Sequence, residues 1–91
     1  MIENYKFSCK YDEWLFDELL KINGDIHYTP GEFNEDASIY LNNNTHIQLG
    51  RMYVILWVRD ENGFMAIYSD NYKSIFDIDH VINHITSLNL F

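Results

Sequence analysis

The chain has 91 residues, 47% of them apolar and 16% aromatic, with 14 acidic side chains against six basic ones and a net charge of −8. That length accommodates one hydrophobic core and not two, and the apolar and aromatic content is too high for an intrinsically disordered chain. The longest apolar run, Met52 to Val58, falls far short of the ~20 residues of a membrane helix, and the acidity opposes direct binding of nucleic acid or anionic lipid, which both need Lys and Arg to neutralise them.

The opening Met1-Ile2-Glu3-Asn4-Tyr5-Lys6 has neither the basic nor the apolar segment of a signal peptide, and Cys9 is the sole cysteine, so no intramolecular disulfide can form. Both features fit a cytoplasmic protein. Tyr5, Phe7 and Cys9 alternate with Lys6 and Ser8, which is the period of a half-buried strand. Asp12 then stands as the cap of a helix whose apolar stripe is Leu15, Phe16, Leu19, Leu20 and Ile22, with Asn23-Gly24 as its stop. Glu13, Asp17, Glu18 and Lys21 take the opposite side.

Gly24 to Asp36 has no clear period and reads as a long loop turning at Thr29-Pro30-Gly31, pinned by Ile26, Tyr28 and Phe33. Beyond Ala37 the pattern is that of a sheet. Ile39 and Leu41 alternate, Asn42-Asn43-Asn44 turns the chain, and Ile47 and Leu49 resume the alternation. Met52 to Val58 is apolar at every position, as expected of a central strand buried on both faces or covered on its second face by a partner. Asn62-Gly63 is the strongest hairpin signal in the chain, returning Phe64 to Tyr68 alongside. A last helix begins near Ser74 or Asp77 and carries Ile78, Val81, Ile82, Ile85 and Leu88 as its stripe, with Phe76 and Val81 placed for a hydrophobic staple. The expected fold is α+β, a single domain in the order β-α-β-β-β-β-α: an antiparallel meander of four to five short strands with two helices.

Charge is unevenly placed. Residues 11 to 36 hold eight carboxylates against Lys21 alone, a local balance of −7 out of the chain's −8. Glu13 and Asp17 stand at i,i+4, an arrangement of like charges that costs a helix a few tenths of a kcal/mol, so solubility alone does not call for it. Asp12, Glu13, Asp17, Glu18, Glu32, Glu35 and Asp36, together with the aromatic side chains Trp14 and Phe33, are therefore the candidate partner-binding residues: charge steers an encounter and aromatic groups anchor it.

Catalytic signals are weak by comparison. Asp77, His80 and His84 fall at i, i+3, i+7 on the last helix, and the histidine pair has the spacing of a shared metal ion, but no HExxH or paired-cysteine pattern completes the set. The expected reading is a solvated polar face without a metal. No signature ties Cys9 to a histidine base, Glu35-Asp36 and Asp60-Glu61 read as turn residues, and the four glycines form no phosphate-binding loop. Arg51 and Arg59 read as counter-ions or guards at the ends of the apolar strand, and Tyr53, Trp57, Phe64 and Tyr68 as core. No catalytic residue and no cofactor is expected. The expected partner is a basic protein, above all a nucleic-acid-processing enzyme. In that reading the chain is a small inhibitor of the kind encoded by phages and mobile elements, occupying the groove of a host defence nuclease of the CRISPR or restriction type, with carboxylates in place of phosphates and Trp14 or Phe33 in place of a stacked base. The alternatives are an immunity protein or antitoxin that covers a cognate nuclease toxin, and a structural homodimer built on the apolar sheet.

Overall fold

Two helices lie on one face of a five-stranded antiparallel meander in the computed structural model, which describes residues 7, 9–31, 35–70, 73–74 and 77–88. The elements are α1 (Lys10–Ile22), β1 (His27–Thr29), β2 (Ala37–Asn42), β3 (Thr45–Leu49), β4 (Val54–Asp60), β5 (Gly63–Asp70) and α2 (Ile78–Ser87). The strands stand side by side in sequence order. The fold class is therefore α+β with the expected meander, in the order α-β-β-β-β-β-α.

Several expectations need correcting. Phe7 and Cys9 lie in no strand, and the rest of the expected first strand falls outside the described residues. The fifth strand is β1, inside the segment read as a loop: Tyr28 pairs with Ile39, and its side chain is almost fully buried between exposed His27 and Thr29.

Local chemistry explains the turns. Between β2 and β3 the Asn42 side-chain oxygen accepts a hydrogen bond from the Asn44 amide at 2.7 Å, and between β4 and β5 the Asp60 carboxylate accepts one from the Asn62 amide at 2.7 Å. Both are Asx turns, in which a short polar side chain mimics the backbone. Gly63 closes the second at φ 112°, a conformation that costs glycine little and other residues more. At the end of α1, the Asn23 amide donates to the Leu19 carbonyl at 2.9 Å while its side chain accepts from the Asp25 amide at 3.0 Å, which stops the helix.

The strand period of two sorts the sheet into an inner and an outer face. One inner row runs Tyr28, Ile39, Ile47, Leu56 and Tyr68 across all five strands. Leu15, Phe16 and Leu19 of α1 and Ile78, Val81 and Ile85 of α2 close over this face. Trp57 and Ile55, in contrast, point outward and are half-buried, so Met52 to Val58 is not a strand buried on both sides: β4 begins at Val54, and helices cover one face only. The ladder between β4 and β5 slips by one residue at Leu56/Trp57, leaving Ile67 as the extra residue of a β-bulge.

Helix α2 begins after Asp77, whose amide donates to the Ser74 carbonyl at 2.9 Å. Phe76, proposed for the staple, lies outside the described residues. Helix α1 begins three residues earlier than expected, with Cys9 and not Asp12 at the cap position. The reason is tertiary: Asp12 is needed in the core.

Candidate functional site: the acidic face of the first helix

Asp12 is fully buried. One carboxylate oxygen, Oδ1, accepts from the Lys73 ammonium at 2.6 Å and from the Cys9 thiol at 3.5 Å, while among the described residues Oδ2 has no hydrogen-bond partner. Lys73, itself 5% exposed, also donates to the Gly50 carbonyl at 2.8 Å and lies 5.1 Å from the centroid of the Tyr11 ring. Asp12 thus has to be removed from the candidate contact residues. A carboxylate taken out of water and neutralised by an ammonium cannot present charge to a partner.

The remaining helix residues do meet. Glu13 and Trp14 are exposed, the latter at 48%, and Asp17 and Glu18 are half-exposed on the side of α1 turned away from the sheet. Lys10, Glu13, Trp14 and Asp17 line an open groove of about 290 Å³. Glu18 is tied to Lys21 by an exposed ion pair at 3.0 Å, and this contact raises the lysine's pKa through its hydrogen bond and its charge. An ion pair in water is worth little, so a stronger cation from a partner can displace it. The positioning follows from helical geometry: with Tyr11, Leu15, Phe16 and Leu19 held in the core, positions 13, 14, 17 and 18 have to face solvent.

The loop carboxylates do not join this group. Asp36 Oδ2 accepts hydrogen bonds from Gln48 Nε2 at 2.7 Å and from the Tyr53 hydroxyl, and Gln48 Oε1 in turn accepts from the Trp57 indole at 2.8 Å. Hydrogen bonding to Asp36 raises the Tyr53 pKa. Gln48 and Trp57 belong to the outer face of the sheet, opposite the helices, so Asp36 is spent on a local network behind α1. Glu35 is exposed, while Glu32 and Phe33 lie outside the described residues.

Two arrangements went unforeseen. The first is the Cys9–Asp12–Lys73 corner, where the cation facing the thiol is Lys73 at 3.6 Å and not the neighbouring Lys10. The second is a run of rings on the outer sheet face: Tyr40 lies 5.5 Å from His46, which meets Phe64 edge-on at 5.0 Å. Burial lowers the pKa of His46 there. His84 and His80 of α2 pack beside Tyr68, with ring centroids 4.4 and 6.4 Å away. Among the described residues no group of three or more His, Cys, Asp and Glu is gathered to hold a metal ion, and Arg51 and Arg59 are exposed without an ion pair.

Set against protein-family models, curated proteins and solved structures, the chain matches none of them. Its function has to be reasoned from the chemistry of its own surfaces. Among the described residues no helix is long and apolar enough to cross a membrane.

Proposed function

We propose that this protein acts by binding a basic protein through the outward face of α1, with Glu13, Asp17 and Glu18 supplying charge and Trp14 the anchor. The observation that carries the reading is Trp14, 48% exposed on a two-sided helix and flanked in one groove by Glu13 and Asp17. Leaving an indole in water forgoes part of the ~1.5–3 kcal/mol that burying a large apolar side chain gains. Trp is also among the residues that most often carry binding energy at the centre of interfaces.

Carboxylates clustered on one helix face present negative charge that a groove lined with Lys and Arg to hold phosphates attracts. A nucleic-acid-processing enzyme is the partner that best fits this charge, and inhibition by occlusion of its groove is the proposed mechanism. The contact chemistry is the same whether the groove belongs to a host defence nuclease or to a cognate toxin, and gene neighbourhood separates the two.

The test is capture of the tagged protein's partners from host lysate at low salt, followed by elution with rising salt. A nucleic-acid-handling protein should be retained by the wild type and lost with Trp14→Ala or with Glu13→Lys/Asp17→Lys/Glu18→Lys, while the circular dichroism of both variants stays native. Retention of the same partner by the triple charge reversal would sink the reading.

A further inference from the structure

Among the described residues the meander has two edges without a further strand, and they are not alike. β1 is three residues long, whereas β5 is eight, and among the described residues no strand lies beyond it. Natural edges are guarded by charge, by proline or by brevity. From Phe64 to Ser69, β5 has no charged residue and no proline. Phe64 and Met65 are 52% and 56% exposed, and as neighbours in a strand they point to opposite faces, so a strand laid beside β5 would cover both. The bulge at Ile67 is a guarding device within this strand, and it lies beyond the exposed pair.

We propose that β5 pairs with β5 of a second copy of this chain, antiparallel about a two-fold axis, to make one continuous ten-stranded sheet. A row of outward N–H and C=O groups calls for an extended partner. Between Phe64 and Ser69 there is no carboxylate to select a basic strand, and the uncharged run is complementary to itself, as a two-fold interface requires.

A charge of −8 per copy opposes self-association. Helix α1 packs through Phe16 onto Tyr28 of β1, with ring centroids 5.8 Å apart, while its first turn reaches the other side of the sheet, where Asp12 meets Lys73 just past the end of β5. Repulsion also acts along the interface itself, because an antiparallel pairing brings the Asp70 end of each β5 toward the Asp60–Glu61 turn of the other. Added salt therefore strengthens this dimer.

Sedimentation equilibrium of the full chain, up to about 0.5 mM because exposed edges give weak to moderate affinity, tests the proposal. The wild type should approach twice the 10.9 kDa chain mass. Its dissociation constant should fall several-fold from about 0.05 to about 0.5 M salt, where screening is strongest. Met65→Lys, and independently Phe64→Lys, should raise the dissociation constant about tenfold or more, equivalent to ~1.4 kcal/mol, with native circular dichroism. Hydrogen exchange should slow with concentration in β5 and not in β1. A protein that stays monomeric throughout, a dimer unaffected by both variants, or one weakened by salt would each overturn the proposal.

Discussion

Replacing Lys73 by Met tests whether the buried pair with Asp12 holds the N-terminal end of α1 to the rest of the molecule. The ammonium makes a 2.6 Å contact to Asp12, donates to the Gly50 carbonyl at 2.8 Å and faces Cys9 Sγ at 3.6 Å. Its loss leaves a fully buried carboxylate whose Oδ1 keeps only the thiol and whose Oδ2 already lacks a partner among the described residues. Breaking one side of a buried pair costs about 3–5 kcal/mol, and the orphaned Gly50 carbonyl adds about 1 kcal/mol. A domain of 91 residues has a total stability of about 5–14 kcal/mol, so Lys73→Met should remove a third or more of it. At about 4–8 °C per kcal/mol for a domain this small, the melting temperature should drop by about 15 °C or more. The double variant Asp12→Leu/Lys73→Met replaces both charges by apolar groups and should return to within about 1 kcal/mol of the wild type, because a buried pair is worth little beyond its own desolvation. Urea unfolding followed through Trp14 and Trp57 gives the four corners of the cycle. A Lys73→Met loss under about 1 kcal/mol, or a double variant as unstable as the two singles summed, would refute the reasoning.

Titration supplies two further predictions. Burial lowers the pKa of His46 below its ordinary 6.5, so the unfolded chain binds the proton first. The folded state should accordingly lose stability as pH falls from 6.5 toward the depressed folded value, and the gap between wild type and His46→Gln should narrow over that window. A gap independent of pH, measured by urea midpoints between about pH 7.5 and 5, would contradict the assignment. For Tyr11 the shift is upward, through burial first and then the negative charge of Tyr68, Asp70, Asp12 and Asp77. Its neutral form is favoured by folding, so that stability is intact below pH 10 and is lost as pH rises above it. Tyr11→Phe should be more resistant to alkaline unfolding than the wild type, and equal sensitivity would count against the burial of this hydroxyl.

Patterns with a local cause were readable in the residues themselves. Asn42, Asn62 and Gly63 mark turns because the side chain or the glycine acts within two positions, and the stripes Leu15, Phe16, Leu19 and Ile78, Val81, Ile85 follow from helical period alone. What could not be read depended on distance along the chain. Asp12 looked like a cap on an exposed acidic face because its partner lies 61 positions away, in a segment with no signal of its own. β1 was hidden because three residues with a single buried Tyr28 carry too little alternation to register as a strand. The apolar run from Met52 suggested two covered faces because composition does not say which side chains will share a polar network. Trp57 faces outward with its indole bonded to Gln48, which also holds Asp36. Trp57, read as core, and Asp36, read as a contact residue, are joined instead through Gln48 on the outer face of the sheet.

The same separation lets one variable, ionic strength, distinguish the two surfaces. With Asp12 neutralised by Lys73 and Asp36 held behind the sheet, the exposed negative charge on α1 comes down to Glu13, Asp17 and Glu18, the last shared with Lys21. A partner drawn by these groups is released as salt screens them, since exposed pairs lose most of their attraction beyond a Debye length. Pairing along β5 is opposed by like charge and gains from the same screening. α1 packs on the inner face of the sheet and not along the outer edge of β5, so a dimer would carry two acidic faces. Linking two such faces raises avidity only for a partner with two basic sites at matching separation. Met65→Lys should then leave capture of a single-site partner unchanged while weakening capture of a two-site one.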